Sequence, residues 1–246
     1  MKSRSKKGQK RGGLHIGTSG FQYDAWKGTF YPEKLSKAKM LPYYAERFDT
    51  TEINYTFRRF PSEKTLANWS ASTPEHFQFS LKAPEKITHR AKLRNCAGAL
   101  LEFHRAVSDL GKKLGVVLFQ LSPHLHVDVA LLTDFLASIP KGFRTAFEFR
   151  HASWFTDAVF AALRSRNTAL CIADTDDLKT PIQITADYAY FRLRREDYTS
   201  KDIARWAKQI LSISGAFHSF VYFKHEETGI GTKFAKSLIK LTGGQP

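Results

Sequence analysis

The chain has 246 residues, 42% of them hydrophobic, and 38 Lys and Arg against 23 Asp and Glu give a formal net charge of +15. That length buries a sizeable core as one large domain or two small ones. No apolar run is long enough to span a membrane, Leu14 to Gly20 is too short and polar for a signal-peptide core, and two cysteines exclude a disulfide framework, so a cytoplasmic protein is expected.

Six basic residues (Lys2, Arg4, Lys6, Lys7, Lys10 and Arg11) and no acidic ones precede Leu14. Residues 1–13 are therefore expected to be a disordered basic tail, either simply solvated or an arm for nucleic acid. The remaining chain still carries about +9 (15 − 6), which favours anionic partners and no membrane partner.

From Leu14 onward, strand patterns alternate with helix patterns. Leu14–Ser19 reads as a first strand, followed by the aromatic loop GFQYDAWKGTFYP. Ser36–Phe48 reads as a helix with Met40, Leu41, Tyr44 and Phe48 on one face, and Thr50–Asn54 as the second strand. Ser62 is placed to cap a helix over Glu63–Ala71, and His76–Ala83 alternates as a third strand. Ala97–Gly111 is helical, and Leu114–Pro123 is apolar almost throughout, as a parallel strand covered on both faces should be. A helix over Asp128–Ser138 leads into Phe143–Phe155, FRTAFEFRHASWF, the fifth strand segment. Its alternation puts Thr145, Phe147 and Phe149 on one face and Arg144, Ala146, Glu148 and Arg150 on the other. The remainder reads as a helix over Phe155–Arg166, strands at Thr168–Asp174, Asp187–Arg194 and Ser219–His225, and helices over Ser200–Ile213 and Thr232–Leu241. The segment between strands six and seven has no helical period, so that helix is expected to be reduced or missing.

Eight strands, nearly all separated by helices, predict an α/β fold: a (β/α)8 TIM-type barrel as a single domain over residues 14–242. An open doubly wound sheet would bring a glycine-rich phosphate turn after its first strand, and GTSGFQY is not one.

In a barrel the C-terminal strand ends form the catalytic face. Turning the apolar-rich faces outward leaves Ser19, Glu52, Asn54, Lys82, Gln120, Glu148, Arg150, Asp174, Arg192, Arg194 and Lys224 as the last inward residues, over a floor that includes Val116, Leu118, Ala146 and Ile172. Five cations against three carboxylates make this rim net positive by two (5 − 3), which suits a phosphate or carboxylate gripped by arginine forks. Glu148 beside Arg150 should stay ionised, as a base or an electrostatic stabiliser, or the two form a structural ion pair that plugs the barrel. Glu52 and Asp174 are the other candidate catalytic carboxylates. The carboxylates and Asn54 could instead hold Mg²⁺ or Mn²⁺, but five cations argue against an obligatory metal, so no cofactor is expected. Among His89, His124, His151 and His225, all just past strand ends, His151 is the candidate for acid–base work. The loop aromatics read mainly as lid packing, with Trp26, Phe57 and Trp154 as candidates for ligand contact.

With these segments in view, the chain resembles the YecE-like family, domain of unknown function 72. The matching stretches are IGTSGFQYDAWKGTFYP, YYAERFDTTEINYTF, FQFSLKAPEKITH, LGVVLFQLSP, AFEFRHASWF, ALCIADT, YFRLR and VYFKHEETG. The resemblance implies a TIM barrel and supplies no reaction. Many relatives end strand seven in Leu-His-Gly and strand eight in Phe-Asn-Asn; here these places read Phe191-Arg192-Leu193-Arg194 and Phe223-Lys224-His225-Glu226.

Three functions fit these residues. The first is an enzyme, such as a hydrolase or lyase, acting on a phosphate- or carboxylate-bearing substrate at the barrel mouth. The second is a nucleic-acid-binding or phosphodiester-cleaving protein that uses the tail, Arg58 and Arg59. The third is a non-catalytic ligand-binding barrel.

Overall fold

The computed structural model describes residues 13–215, 217–224 and 227–243. The expected tail, residues 1–13, lies outside them except for Gly13, as does His225. Eight parallel strands close in sequence order into one barrel: β1 (Leu14–Ser19), β2 (Thr50–Ile53), β3 (Gln78–Lys82), β4 (Leu114–Gln120), β5 (Thr145–Glu148), β6 (Ala169–Asp174), β7 (Tyr188–Leu193) and β8 (His218–Phe223). The helices are α1 (Lys37–Ala45), α2 (Glu63–Ala71), α3 (Ala97–Val107), α4 (Val129–Ser138), α5 (Asp157–Ser165), α6 (Ser200–Ser214) and α7 (Ile230–Thr242). The fold is the (β/α)8 barrel that the alternating periods predict.

Local chemistry sets the helix starts. The Ser62 hydroxyl accepts from the Thr65 amide at 3.2 Å, and Asp128 accepts from the Leu131 amide at 2.9 Å. Thr199 and Asp202 form a reciprocal capping box before α6. No helix lies between β6 and β7, as expected; that segment is tied down at its far end, where Thr185 Oγ1 accepts from the Leu170 amide and donates to the Thr168 carbonyl, both at 2.7 Å.

Two apolar layers follow from strand alternation. The outer layer, between strands and helices, includes Ile53, Leu81, Val117, Phe119, Phe147, Leu170, Ile172 and Phe191. The inner layer holds Val116, Leu118, Ala146, Ala169, Cys171, Ala173, Tyr188, Tyr190, Phe220 and Tyr222. Strand six departs from the expected phase. Ala169, Cys171 and Ala173 face the axis, so Ile172 and Asp174 point outward. A second departure is the end of β5: the strand stops at Glu148, and Ala152–Trp154 forms a 3-10 turn.

The barrel closes tightly around Gly17. A Cβ there would stand 2.0 Å from the Thr50 carbonyl oxygen, a backbone atom of the neighbouring strand. Gly17→Ala is expected to lower stability by about 2–3 kcal/mol through forced strand separation, measured as a lower urea midpoint with an unchanged slope.

Candidate functional site

A buried polar cluster sits at the C-terminal end of the barrel. Strand register sets it up, because Ser19 lies beside Glu52 and Gln120 lies beside Glu148. Arg192, from β7, spans the axis. Its Nη2 donates to Glu52 Oε1 at 2.9 Å and its Nη1 to Glu148 Oε2 at 2.5 Å. All three side chains are at most 2% exposed. Arg192 Nε is buried with no hydrogen-bond partner.

Each carboxylate has further donors. Glu52 Oε1 accepts from Ser19 Oγ at 2.5 Å and Oε2 from Tyr190 Oη at 2.5 Å. Asn54 Nδ2 donates to Ser19 Oγ at 2.7 Å, which extends the cluster upward. Glu148 Oε1 accepts from Gln120 Nε2 at 2.8 Å and from Arg194 Nη1 at 3.3 Å. The other end of Gln120 accepts from Lys82 Nζ at 2.8 Å. One hydrogen-bonded chain thus runs from Asn54 through Ser19, Glu52, Arg192, Glu148 and Gln120 to Lys82.

Burial and charge act against each other here. Burial alone would raise the Glu148 carboxyl, but the Arg192 and Arg194 guanidiniums overcome it and hold the group at about 2. Burial likewise opposes the Arg192 charge, and Glu148 with Glu52 hold that guanidinium firmly protonated. Lys82 falls to about 8, first through burial and then through the nearby Arg192 charge. Burial also pushes up the Tyr190 phenol beside the Glu52 carboxylate.

Above this cluster opens a cavity of about 310 Å³ whose lining includes the charged residues Arg150, Arg194, Glu148, Asp176 and Asp177 beside Phe149. Arg150 is exposed and, among the described residues, has no ion-pair partner. Arg194 is partly exposed at 20%. Burial first, and then the Arg192 and Arg150 charges, shift Arg194 downward against the pull of Glu148.

Several sequence expectations need correction. The partner of Glu148 is Arg192 and secondarily Arg194, not Arg150, because the strand ends before Arg150. Glu52 and Arg192 are sealed from solvent, so neither has a free face for substrate or ligand. Asp174 turns out of the barrel, where its Oδ2 accepts from Tyr198 Oη at 2.7 Å and Trp206 Nε1 at 3.0 Å. Trp26 and Trp154 are fully buried, so ligand contact is excluded for both in this structure. Trp26 packs with Phe30 and Tyr31, while Trp154 stacks on Phe149 at 4.7 Å and donates to the Leu125 carbonyl at 2.7 Å. His151 packs against His126 with ring centroids 3.9 Å apart, and its Nδ1 accepts from the Ser153 amide at 3.2 Å; it does not line the cavity.

Other expectations are brought together at the mouth. Phe57 is half-buried, with Lys82 Nζ 4.0 Å from its ring centroid and His89 edge-on at 5.0 Å. Lys224, just past β8, is half-buried and acts electrostatically on Lys82. Among the described residues, no three His, Cys, Asp or Glu side chains group as a metal site requires; the Arg192 guanidinium stands between the two buried carboxylates. Both cysteines are buried and free. No described helix is long and apolar enough to cross a membrane. Sequence reasoning missed Tyr190 as a partner of Glu52, although Tyr190 shares the inward parity of Arg192 on β7.

The (β/α)8 barrel that holds this buried carboxylate–arginine cluster beneath a mouth lined by Arg150 and Arg194 has counterparts among known proteins. The family model described as "Protein of unknown function DUF72" matches residues 15–246, and the chain belongs to that family. The UPF0759 protein YecE of Escherichia coli K12 is 32% identical over 113 residues, 46% of this chain and 42% of that protein. The UPF0759 protein YunF of Bacillus subtilis is 28% identical over 156 residues, 58% of this chain and 52% of that protein. The aligned part thus spans about half the length of these relatives. A DUF72 family protein of Thermotoga maritima superposes with a TM-score of 0.81 at 26% identity, covering 94% of this chain and 99% of that one. An Enterococcus faecalis DUF72 structure gives 0.79 at 18% identity, covering 95% of this chain and 96% of that one, and so shares the fold.

Two measurements test the cluster. The folded Glu148 value lies below its ordinary one. The stability it contributes is therefore present above the ordinary value and is lost as pH falls through the folded value. Unfolding free energy is expected to fall by about 3 kcal/mol from this group between roughly pH 4.5 and 2, and Glu148→Gln should lack that portion of the acid loss in urea titrations. Arg192→Met leaves two carboxylates facing each other without compensation, and is expected to cost about 3–5 kcal/mol in the same assay.

Proposed function

We propose that this protein is an enzyme acting on a small phosphate- or carboxylate-bearing substrate at the C-terminal mouth of the barrel. Arg150 and Arg194 clamp the anionic group, and ionised Glu148 on the cavity floor stabilises charge during the reaction. One observation carries this reading. Two guanidiniums converge on one cavity, and Arg150 lacks a carboxylate partner among the described residues. Like charges held close are unfavourable until an anion joins them, and forked donors suit phosphate and carboxylate oxygens.

The buried cluster supports this assignment of roles. Arg192 offsets one of the two buried carboxylate charges and Arg194 also pairs with Glu148, while Arg150 has no carboxylate partner among the described residues. Glu148 is kept ionised at neutral pH, so it serves as an electrostatic stabiliser or an acceptor and not as a proton donor. The nucleic-acid reading draws less support from the mouth itself. Arg58 is already paired with Glu85, which also pairs with Arg90. Arg59 lies over the Tyr55 ring at 5.7 Å.

Inorganic phosphate is the simplest probe. It is expected to raise the melting temperature of the wild-type protein and to bind detectably by calorimetry. Arg150→Met and Arg194→Met should each weaken binding about 10- to 100-fold, the loss of one charge-assisted contact of roughly 1.5–3 kcal/mol. Binding absent from the wild type, or equal in both variants, would remove the proposal.

A further inference from the structure

We propose that Lys82 is a nucleophilic amine that condenses with the carbonyl carbon of an aldehyde or ketone held at the barrel mouth. That this carbonyl compound is also anionic rests on the function proposed above.

Lys82 ends β3, and its side chain is half-buried. Its Nζ donates to a neutral acceptor, Gln120 Oε1, at 2.8 Å, and faces the Phe57 ring at 4.0 Å. Among the described residues it has no ion-pair partner. The two nearest buried carboxylates, Glu148 and Glu52, are already bound to Arg192.

The charged and titratable groups around Nζ come from five other parts of the barrel. Arg192 on β7 and Lys224 after β8 disfavour the ammonium, while Glu148 on β5 and Glu52 on β2 favour it. His89, on the turn after β3, is itself shifted downward by burial and then by Lys82, and Arg150 acts on it in the same direction. Lys82 and Arg150 are thus both close enough to His89 to act on its charge. Burial and these cations bring the Lys82 ammonium to about 8. At pH 7 such a lysine presents roughly 300-fold more neutral amine than an ordinary one. A lysine desolvated beside other cations is an activated nucleophile.

The step is balanced within the groups named. The nitrogen lone pair adds to the carbonyl carbon, and proton transfer from nitrogen to oxygen gives a carbinolamine. Loss of one water then leaves the imine, the oxygen coming from the carbonyl and the two hydrogens from the amine. No oxidant or reductant is required. Gln120 holds Nζ through its carbonyl without fixing it as an ammonium, and Arg150 with Arg194 would seat the anionic end.

The full chain is treated separately with glyoxylate, which is anionic, and with acetaldehyde, which is neutral, reduced with cyanoborohydride, and mapped by peptide mass spectrometry. Lys82 is expected to be labelled at least about 10-fold faster than exposed Lys64 and Lys201, with a pH midpoint near 8. Lys82→Arg should melt at an unchanged temperature and lose that one site of labelling. Labelling of Lys82 no faster than Lys64 and Lys201 by either probe, in protein shown to be folded, would overturn the proposal. If Lys82 is the fast site for both probes, but Arg150→Met and Arg194→Met leave the glyoxylate rate unchanged, the amine stands and the anionic reading fails.

Discussion

The upper half of the barrel depends on a single guanidinium. Arg192 is buried between Glu52 and Glu148, and without it two carboxylates from opposite sides of the barrel would repel in a medium that screens poorly. Its presence ties β7 to β2 and β5 across the axis, so it acts on closure as well as on charge. Around it, hydroxyl and amide donors from Ser19, Tyr190 and Gln120 satisfy the remaining carboxylate lone pairs. These partners lower the cost of burying the ions, although Arg192 Nε itself is buried without a hydrogen bond.

Arg192 offsets one of the two carboxylate charges, and Arg194 above the cluster pairs with Glu148 as well. Arg150, Arg194, Lys82 and Lys224 stand nearer solvent, over a floor that keeps one net negative charge (2 − 1). The division is between Arg192, which serves the fold, and Arg150 and Lys82, which have no ion-pair partner among the described residues. Gln120 joins the two levels. Its amide nitrogen meets Glu148 and its oxygen meets Lys82, so a fixed carboxylate and a softened ammonium are held together through a group that does not titrate.

The fold was legible because strand and helix periods alternate with almost no interruption, and seven of the eight inward phases could be assigned from which face carried the larger apolar residues. Strand six was misassigned for a physical reason. Ala169, Leu170, Cys171, Ile172 and Ala173 are apolar on both faces, so period two gives no preference, and inside the barrel the large rings of Tyr188, Tyr190, Phe220 and Tyr222 share the inner layer with only small residues from strand six. The pairing of Glu148 with Arg192 was not legible because it depends on stagger between strands 44 residues apart in sequence, whereas Arg150 is near only along the chain. Trp26 and Trp154 follow strand ends as ligand-contacting aromatics often do, but burial depends on which neighbours fold over them. The cationic rim was legible from strand parity, and which of its cations are free was not.

The segment that replaces a helix between β6 and β7 has a further consequence. It contributes Thr175, Asp176, Asp177, Leu178 and Thr180 to the wall of the mouth cavity. It is fastened at its ends, through Asp174 to α6 and through Thr185 to β6, and it presents no helical stripe that must fit the barrel. Elsewhere around the ring, a change in a connecting element would disturb the packed outer layer. Here the wall can vary in length and chemistry while the scaffold stays intact, so this one sector can change at the least cost to folding.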